Sequence, residues 1–319
     1  MPIGCRVAAL AADMVTLRRL FSGRRLVIGA PYLFLLLFFL LPFFIVLKIS
    51  VSEMENVVFK DLLTLQDGVL QLSVKLGNYL FLAEDPLYIR TYLSSLKYAA
   101  ATTLLCLLIG YPFAYFMARA KASVQPALLM LVMLPFWTSF LLRVYAWRGL
   151  LAENGWVAEL LVALGVDQVL AATGLIGAPG KFLHTPFSLV LGMTYTYLPF
   201  MVLPLYGTLA KLDLRLLEAA ADLGASPWVA FWTVTVPLSK AGIIAGSMLV
   251  FIPCVGEFVI PELLGGPETL MIGRVIWDEF FANNDWPMAS TVAVVMVLLI
   301  IVPLAIFNRY QAQAQEARK

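Results

Sequence analysis

Charge is what this sequence has least of. Asp, Glu, Lys and Arg make up 13% of its 319 residues, about half the share found in a soluble domain. That shortage excludes a soluble globular enzyme and a disordered chain. The net charge of +2 gives no field for holding nucleic acid or another polyanion. There is one histidine, His184, which is too few for a metal site or a catalytic triad. The three cysteines, Cys5, Cys106 and Cys254, form no CxxC pair, so neither a disulfide framework nor a zinc site is indicated. No nucleotide loop is present either. The run Gly174–Phe182 is a near miss, with its first glycine one place early and Phe182 where Ser or Thr belongs. This chain is therefore expected to bind no cofactor and to hydrolyse no ATP itself.

What remains is apolar, 61% of the residues, and it is gathered into runs. A bilayer core takes about 20 apolar residues in a helix. Six runs qualify: Leu26–Leu47, Leu93–Ala118, Pro126–Trp147, Pro186–Leu209, Ala241–Leu263 and Ala289–Phe307. The first is too long for a signal-peptide core and has no small-residue cleavage site after it, so it reads as a retained span. The expected fold class is an all-α polytopic membrane protein with six transmembrane helices. Thirteen of the 22 basic residues fall on the side of the termini, where less loop sequence lies, which predicts that both termini are cytoplasmic. The external segments are Lys48–Tyr92, Arg148–Thr185 and Leu264–Met288. Glu84-Asp85-Pro86 predicts a turn before a short helix, and Gly155–Leu164 an interfacial helix. Prolines recur inside the spans, among them Pro112, Pro135, Pro199, Pro204, Pro253 and Pro261. They fit ordinary membrane-helix composition and equally helices that kink around a moving pathway. Gly242 and Gly246 form a GxxxG, a pattern that favours close helix packing.

The loop between spans four and five is the most informative segment. Asp213 is placed to cap a helix that Gly224 stops, and Ser226-Pro227 restarts one that Pro237 ends. Ala219, Ala220 and Ala221 give the first of these helices a small-residue surface able to enter a groove on another protein. Phe231 and Trp232 are placed to anchor the second. Glu218-Ala219-Ala220, then Gly224, then Val234-Thr235-Val236-Pro237 after nine residues, resembles the EAA loop of ABC importer permeases. Val before the proline, where Ile and Leu are usual, is a conservative departure. The resemblance implies a type I importer permease whose loop, 211–240, docks in a cleft of a cytoplasmic ATPase. On this reading Glu218, Ala219, Ala220, Asp222, Gly224 and Pro237 form the coupling site.

Further runs narrow the family. Gly256–Pro267, Met271–Trp277, Asn284–Pro287, Leu134–Phe140 and Asp85–Tyr88 are similar to segments of polyamine importer permeases, and Gly256–Glu262 leans toward putrescine. The resemblance covers Leu26 to Phe307. It implies a second, related permease subunit, an ATPase dimer carrying ATP and Mg, a periplasmic polyamine-binding protein and an inner-membrane location. The expected organisation is a cytoplasmic tail (1–25), a first helix with its external loop (26–92), a permease core (93–307) and a cytoplasmic tail (308–319).

A dicationic substrate needs carboxylates or carbonyls for its ammonium ends and aromatic faces for its stem. Glu257, flanked at i−4 and i+4 by Pro253 and Pro261, is costly inside a span and is the first candidate for the path; a Glu paired with a base of the second permease is the other reading. Glu262 lies nearer the outer surface. Trp137, Leu141 and Tyr145 follow at i, i+4, i+8, and Tyr197 precedes Phe200 in span four; packing or a lipid-facing belt explains these aromatics as well. Arg143 reads as a side chain that snorkels outward or meets an external acid. Spermidine or another small organic cation is the alternative substrate, and a self-sufficient secondary transporter the alternative class. No convincing internal repeat favours the latter.

Overall fold

A computed structural model describes residues 23–55, 58–59, 63–66, 69–72 and 76–316. The coupling, substrate-path and span residues named above fall within it, apart from the flanking tails. The chain divides into two compact units at Leu76/Gly77.

The first unit holds α1 (Gly23–Leu35), a π turn over Leu36–Leu40 and α2 (Leu41–Ser50). The wide turn lies immediately before Leu41-Pro42. A proline cannot donate to the helix ladder, and its ring rejects the carbonyl four residues back; a π turn absorbs the mismatch without breaking the rod. Two antiparallel ribbons follow, β1 (Met54–Glu55) with β2 (Val58–Phe59) and β3 (Leu63–Gln66) with β4 (Val69–Leu72).

The second unit is built of helices and loops, with no strand among its described residues. It opens with α3 (Gly77–Glu84) and α4 (Pro86–Arg119). The Asp85 carboxylate accepts a hydrogen bond from Leu87 N–H at 2.8 Å, so the expected turn is there. The helix it starts is not short, however; it runs 34 residues and becomes the second span. Next come α5 (Gln125–Met133), a 3-10 turn (Leu134–Trp137) and α6 (Phe140–Leu150). A short pair, α7 (Trp156–Ala163) and α8 (Val166–Ala172), precedes α9 (Pro186–Leu209). The loop that follows contributes α10 (Arg215–Asp222), α11 (Pro227–Ala230), a π turn (Phe231–Thr235) and α12 (Val236–Leu238). The chain then forms α13 (Lys240–Val255), α14 (Val259–Leu264), α15 (Ile272–Trp277) and α16 (Trp286–Glu316).

Among the described residues four helices are long and apolar enough to cross a bilayer: Val27–Ser50, Pro86–Arg119, Pro186–Leu209 and Trp286–Ala305. The count reaches six when the bent pairs Gln125–Trp137 with Phe140–Leu150, and Pro227–Leu238 with Lys240–Val255, are each one span. Two expected spans are thus not straight. The third turns through 88° at Thr138–Ser139, where the Thr138 hydroxyl donates to Pro135 C=O at 2.8 Å and Ser139 is extended. The fifth breaks after Val255. Pro112, Pro199, Pro204, Pro253 and Pro303, by contrast, sit inside continuous helices.

The core is the packing of α4, α9 and α13 around Ala99, Cys106, Met193, Met201, Val250 and Cys254, all fully buried. The GxxxG pays off here as close approach. A Cβ on Gly242 would meet Thr208 Oγ1 at 2.6 Å, and one on Gly246 would meet Met201 Sδ at 2.8 Å. A second cluster, including Tyr88, Tyr92, Ile272 and Val292, joins α4 to α15 and α16. There Tyr92 O–H donates to Val292 C=O, and Ile272 N–H donates to Ser95 Oγ, both at 2.7 Å. His184 is a structural link. Its N–H donates to Leu264 C=O at 3.0 Å, and its Nδ1 lies 2.9 Å from Gly265 C=O, tying the start of α9 to the end of α14. The Gly174–Phe182 run is a loop whose last residue is buried with Leu151, Ala158 and Ile176.

Candidate functional site

Two places gather the residues singled out in the sequence. The first is the loop between α9 and α13. Asp213 Oδ1 accepts from Arg215 N–H at 3.0 Å and so closes the start of α10. At the other end Gly224 adopts φ +83°, Gly224 N–H donates to Ala221 C=O at 2.9 Å and Ala225 N–H to Ala220 C=O at 3.0 Å. This pair of bonds is a Schellman stop, which needs a left-handed residue at the glycine. The Ser226 hydroxyl then accepts from Val229 N–H at 3.4 Å, with Pro227 opening α11.

Pro237 does not end the second helix as expected. The π turn Phe231–Thr235 precedes it, Val236 N–H donates to Phe231 C=O, and the helix runs on to Leu238 before bending 65° into α13. The device is the one used before Pro42. Phe231 is the anchor, edge-on to Tyr111 at 5.6 Å and Tyr115 at 6.0 Å on α4. Trp232 does not pack on the bundle; it stays exposed, touching Trp228 and Phe231, which leaves the lipid headgroups as the surface it was expected to meet. Glu218, Ala219, Asp222 and Gly224 are exposed, Ala220 is half-buried, and no residue of α10 is buried. Leu223, at the turn, is 90% exposed.

The second place is Glu257, which lies not within a helix but in the break between α13 and α14. The cause is Pro261, whose ring excludes the carbonyl of residue 257 from a continuous ladder. That carbonyl faces Gly273, where a Cβ would come within 2.6 Å of it. The Glu257 side chain fills the gap the break leaves. Oε1 accepts from Val259 N–H at 3.1 Å and Ile260 N–H at 3.5 Å, and Oε2 accepts from Tyr197 O–H. The carboxylate is 9% exposed and caps α14 where the helix dipole favours negative charge. Both of its oxygens therefore have partners within this chain.

The other candidates scatter. Glu262 is not beside Glu257 but paired with Arg274 at 2.7 Å, and Asp278 completes the group 3.8 Å from Arg274. Burial raises the Asp278 carboxyl above its ordinary value, against the pull of Arg274. Tyr197 is buried, Trp137 and Tyr145 are exposed, and the 88° bend removes Trp137 from the face that Leu141 and Tyr145 share. In its place stands Phe136, edge-on to Phe200 at 5.2 Å, with Phe200 6.1 Å from Tyr197. Phe136 and Gly273 were not singled out in advance. Phe136 follows Pro135, a break signal, and Gly273 sits beside the arginine that holds Glu262. The loop between α9 and α13 thus presents an exposed, capped helix, and the Glu257 centre can accept a cation only by exchanging partners.

Comparison with known proteins agrees with this geometry. Residues 107–316 match the family model described as binding-protein-dependent transport system inner membrane component. The spermidine/putrescine transport system permease protein PotB of Haemophilus influenzae is 36% identical, over 93% of this chain and 96% of its own. The Escherichia coli protein of the same name is 41% identical, over 73% and 82% respectively. Among solved structures, a bacterial alginate ABC transporter in complex with an alginate pentasaccharide-bound periplasmic protein shares the fold, with TM-score 0.62 and 15% identity over 94% of this chain and 96% of that one. The chain belongs to the inner membrane components of binding-protein-dependent transport systems, as a permease subunit of an ABC importer and not as an enzyme.

Proposed function

We propose that this chain forms, with a second permease subunit, the membrane path of an ATP-driven polyamine importer, and that α10 couples it to a cytoplasmic ATPase dimer. The observation that carries the proposal is α10 itself. It is eight residues long with no buried residue, well below the length at which a helix holds alone. Yet it is closed by Asp213 at one end and by Gly224 at the other. Such a helix is built to be completed by a partner. Glu218 and Asp222, one turn apart, carry charge to that partner, while Ala219 and Ala220 allow close approach. Phe231 ties the loop to α4, so motion of the loop reaches the bundle.

The relatives' names join spermidine and putrescine, which supports the polyamine class without a choice between the two; the lean of Gly256–Glu262 toward putrescine remains our proposal. A periplasmic binding protein delivers the substrate, ATP and Mg reside in the partner ATPase, and both termini lie in the cytoplasm. Tyr197 and Glu257 are the path residues, with Trp137 and Tyr145 as exposed aromatic surface on the same bundle and Glu262 held apart by Arg274. The test is co-purification and uptake. Gly224→Asp, expressed and inserted normally, is expected to abolish polyamine uptake, and Glu218→Lys to release the ATPase. Normal uptake by the glycine variant contradicts the coupling assignment.

A further inference from the structure

Arg143 carries a charge for which the function above has no use. A cation beside the path of a polycation is unfavourable, and a guanidinium at the outer end of a span ordinarily reaches for water or an acid. Two of its three nitrogens do neither here. Side chains on a helix lean toward its N-terminus, and Arg143, one turn into α6, leans back across the bend at Thr138–Ser139. Its Cζ lies 5.8 Å from the ring centre of Phe136 and 6.0 Å from that of Phe140. Both distances are at cation–π range. Nε and Nη1 are buried and have no hydrogen-bond partner among the described residues. Two ring faces are therefore the contacts that hold this group, and unmet donors make its seat costly to keep.

The seat belongs to a larger arrangement. Phe136 touches Phe200, Phe200 touches Tyr197, and the Tyr197 hydroxyl donates to Glu257. The strip runs from the bend in the third span, across α9, to the break in the fifth, with a guanidinium at one end and a carboxylate at the other. Its ring faces are the surface an alkylammonium would use.

We infer that Arg143 is a guard cation: it occupies the aromatic seat at Phe136 and Phe140 that a substrate ammonium takes, and closes the path to cations until the bend in the third span opens. The inference rests on the polyamine-importer reading. It makes Arg143 a specificity-determining residue that works by occupying the seat and by repulsion. Substrate enters once the bend withdraws the guanidinium from the rings, where its unmet donors gain water.

The test uses the whole complex, with its ATPase and binding protein, in proteoliposomes, with labelled polyamine outside to read uptake and with labelled putrescine loaded inside to read leak. Wild-type uptake of putrescine or spermidine with ATP reports on the importer reading, and its absence overturns that reading alone. The ATP-independent leak of putrescine reports on the guard. Arg143→Gln is expected to raise the leak about tenfold, the equivalent of one desolvated cation–π contact, while Arg143→Lys, which keeps a cation over the rings, stays near wild type. A leak from Arg143→Gln equal to that of wild type overturns the inference, as does an equal rise in Arg143→Lys. Should the Gln variant fail to assemble, Phe136→Leu asks the same question from the ring side with the charge intact. It too is expected to leak, and a wild-type leak from that variant counts against the guard.

Discussion

Glu257 holds three groups with one carboxylate: the N–H donors of Val259 and Ile260 through Oε1, and the Tyr197 hydroxyl through Oε2. Its substitutions should therefore separate by what they remove. Glu257→Gln keeps a carbonyl oxygen for the α14 cap and removes the charge. Uptake is expected to fall about tenfold, a loss typical of one charge-assisted contact, with the chain still assembling; unchanged uptake kinetics would take Glu257 off the path. Glu257→Ala orphans the three donors as well, and should lower thermal stability by about 1–3 kcal/mol, read as a drop in the melting temperature of the detergent-solubilised complex. The carboxylate was legible in the sequence as an expensive residue in a span. Its placement was not, because Pro253 and Pro261 look equivalent at i−4 and i+4. Only Pro261 breaks the helix, since a close-approaching Gly273 gives the displaced carbonyl of residue 257 somewhere to lie. That neighbour is 16 residues away in sequence and invisible to local reasoning.

At the scale of elements, the short helices of the loop between α9 and α13 were the most readable part of the chain. Their signals are local: Asp213, Gly224 and Ser226-Pro227 act on backbone groups within three residues. Gly224, at φ +83°, accepts a side chain only at a cost of about 1–2 kcal/mol. Gly224→Ala is accordingly expected to weaken coupling less than Gly224→Asp, which adds charge at the same turn; equal uptake by the two would show that strain alone matters. Pro237 misled because a proline can be met by a wide turn as well as by a helix end, and the choice depends on Phe231 packing against Tyr111 and Tyr115 on α4. The bend in the third span hid for a similar reason, as the apolar run crosses Thr138–Ser139 without interruption. The α9–α13 contact was written plainly in Gly242 and Gly246. Gly246→Leu should force these helices apart and reduce yield of the folded chain, by overpacking of about 1–3 kcal/mol, whereas Gly207→Ala, with open space around it, should not.

For the whole molecule, the scarcity of charge and the six apolar runs announced a polytopic membrane protein, and the loop motif announced its family. The ribbons β1–β4 were not foreseen. They lie in a segment without a strong alternating pattern, and the strip Phe136–Phe200–Tyr197 is an assembly of distant aromatics that no spacing rule collects. The central claim is that a helix with nothing buried beneath it is completed by an ATPase and drives a polyamine path. The most direct measurement is ATPase activity of the reconstituted complex with empty and with polyamine-loaded binding protein. The account predicts stimulation by the putrescine- or spermidine-loaded form above the empty form, lost in Gly224→Asp. An assembled complex whose ATPase rate is indifferent to either polyamine would contradict it.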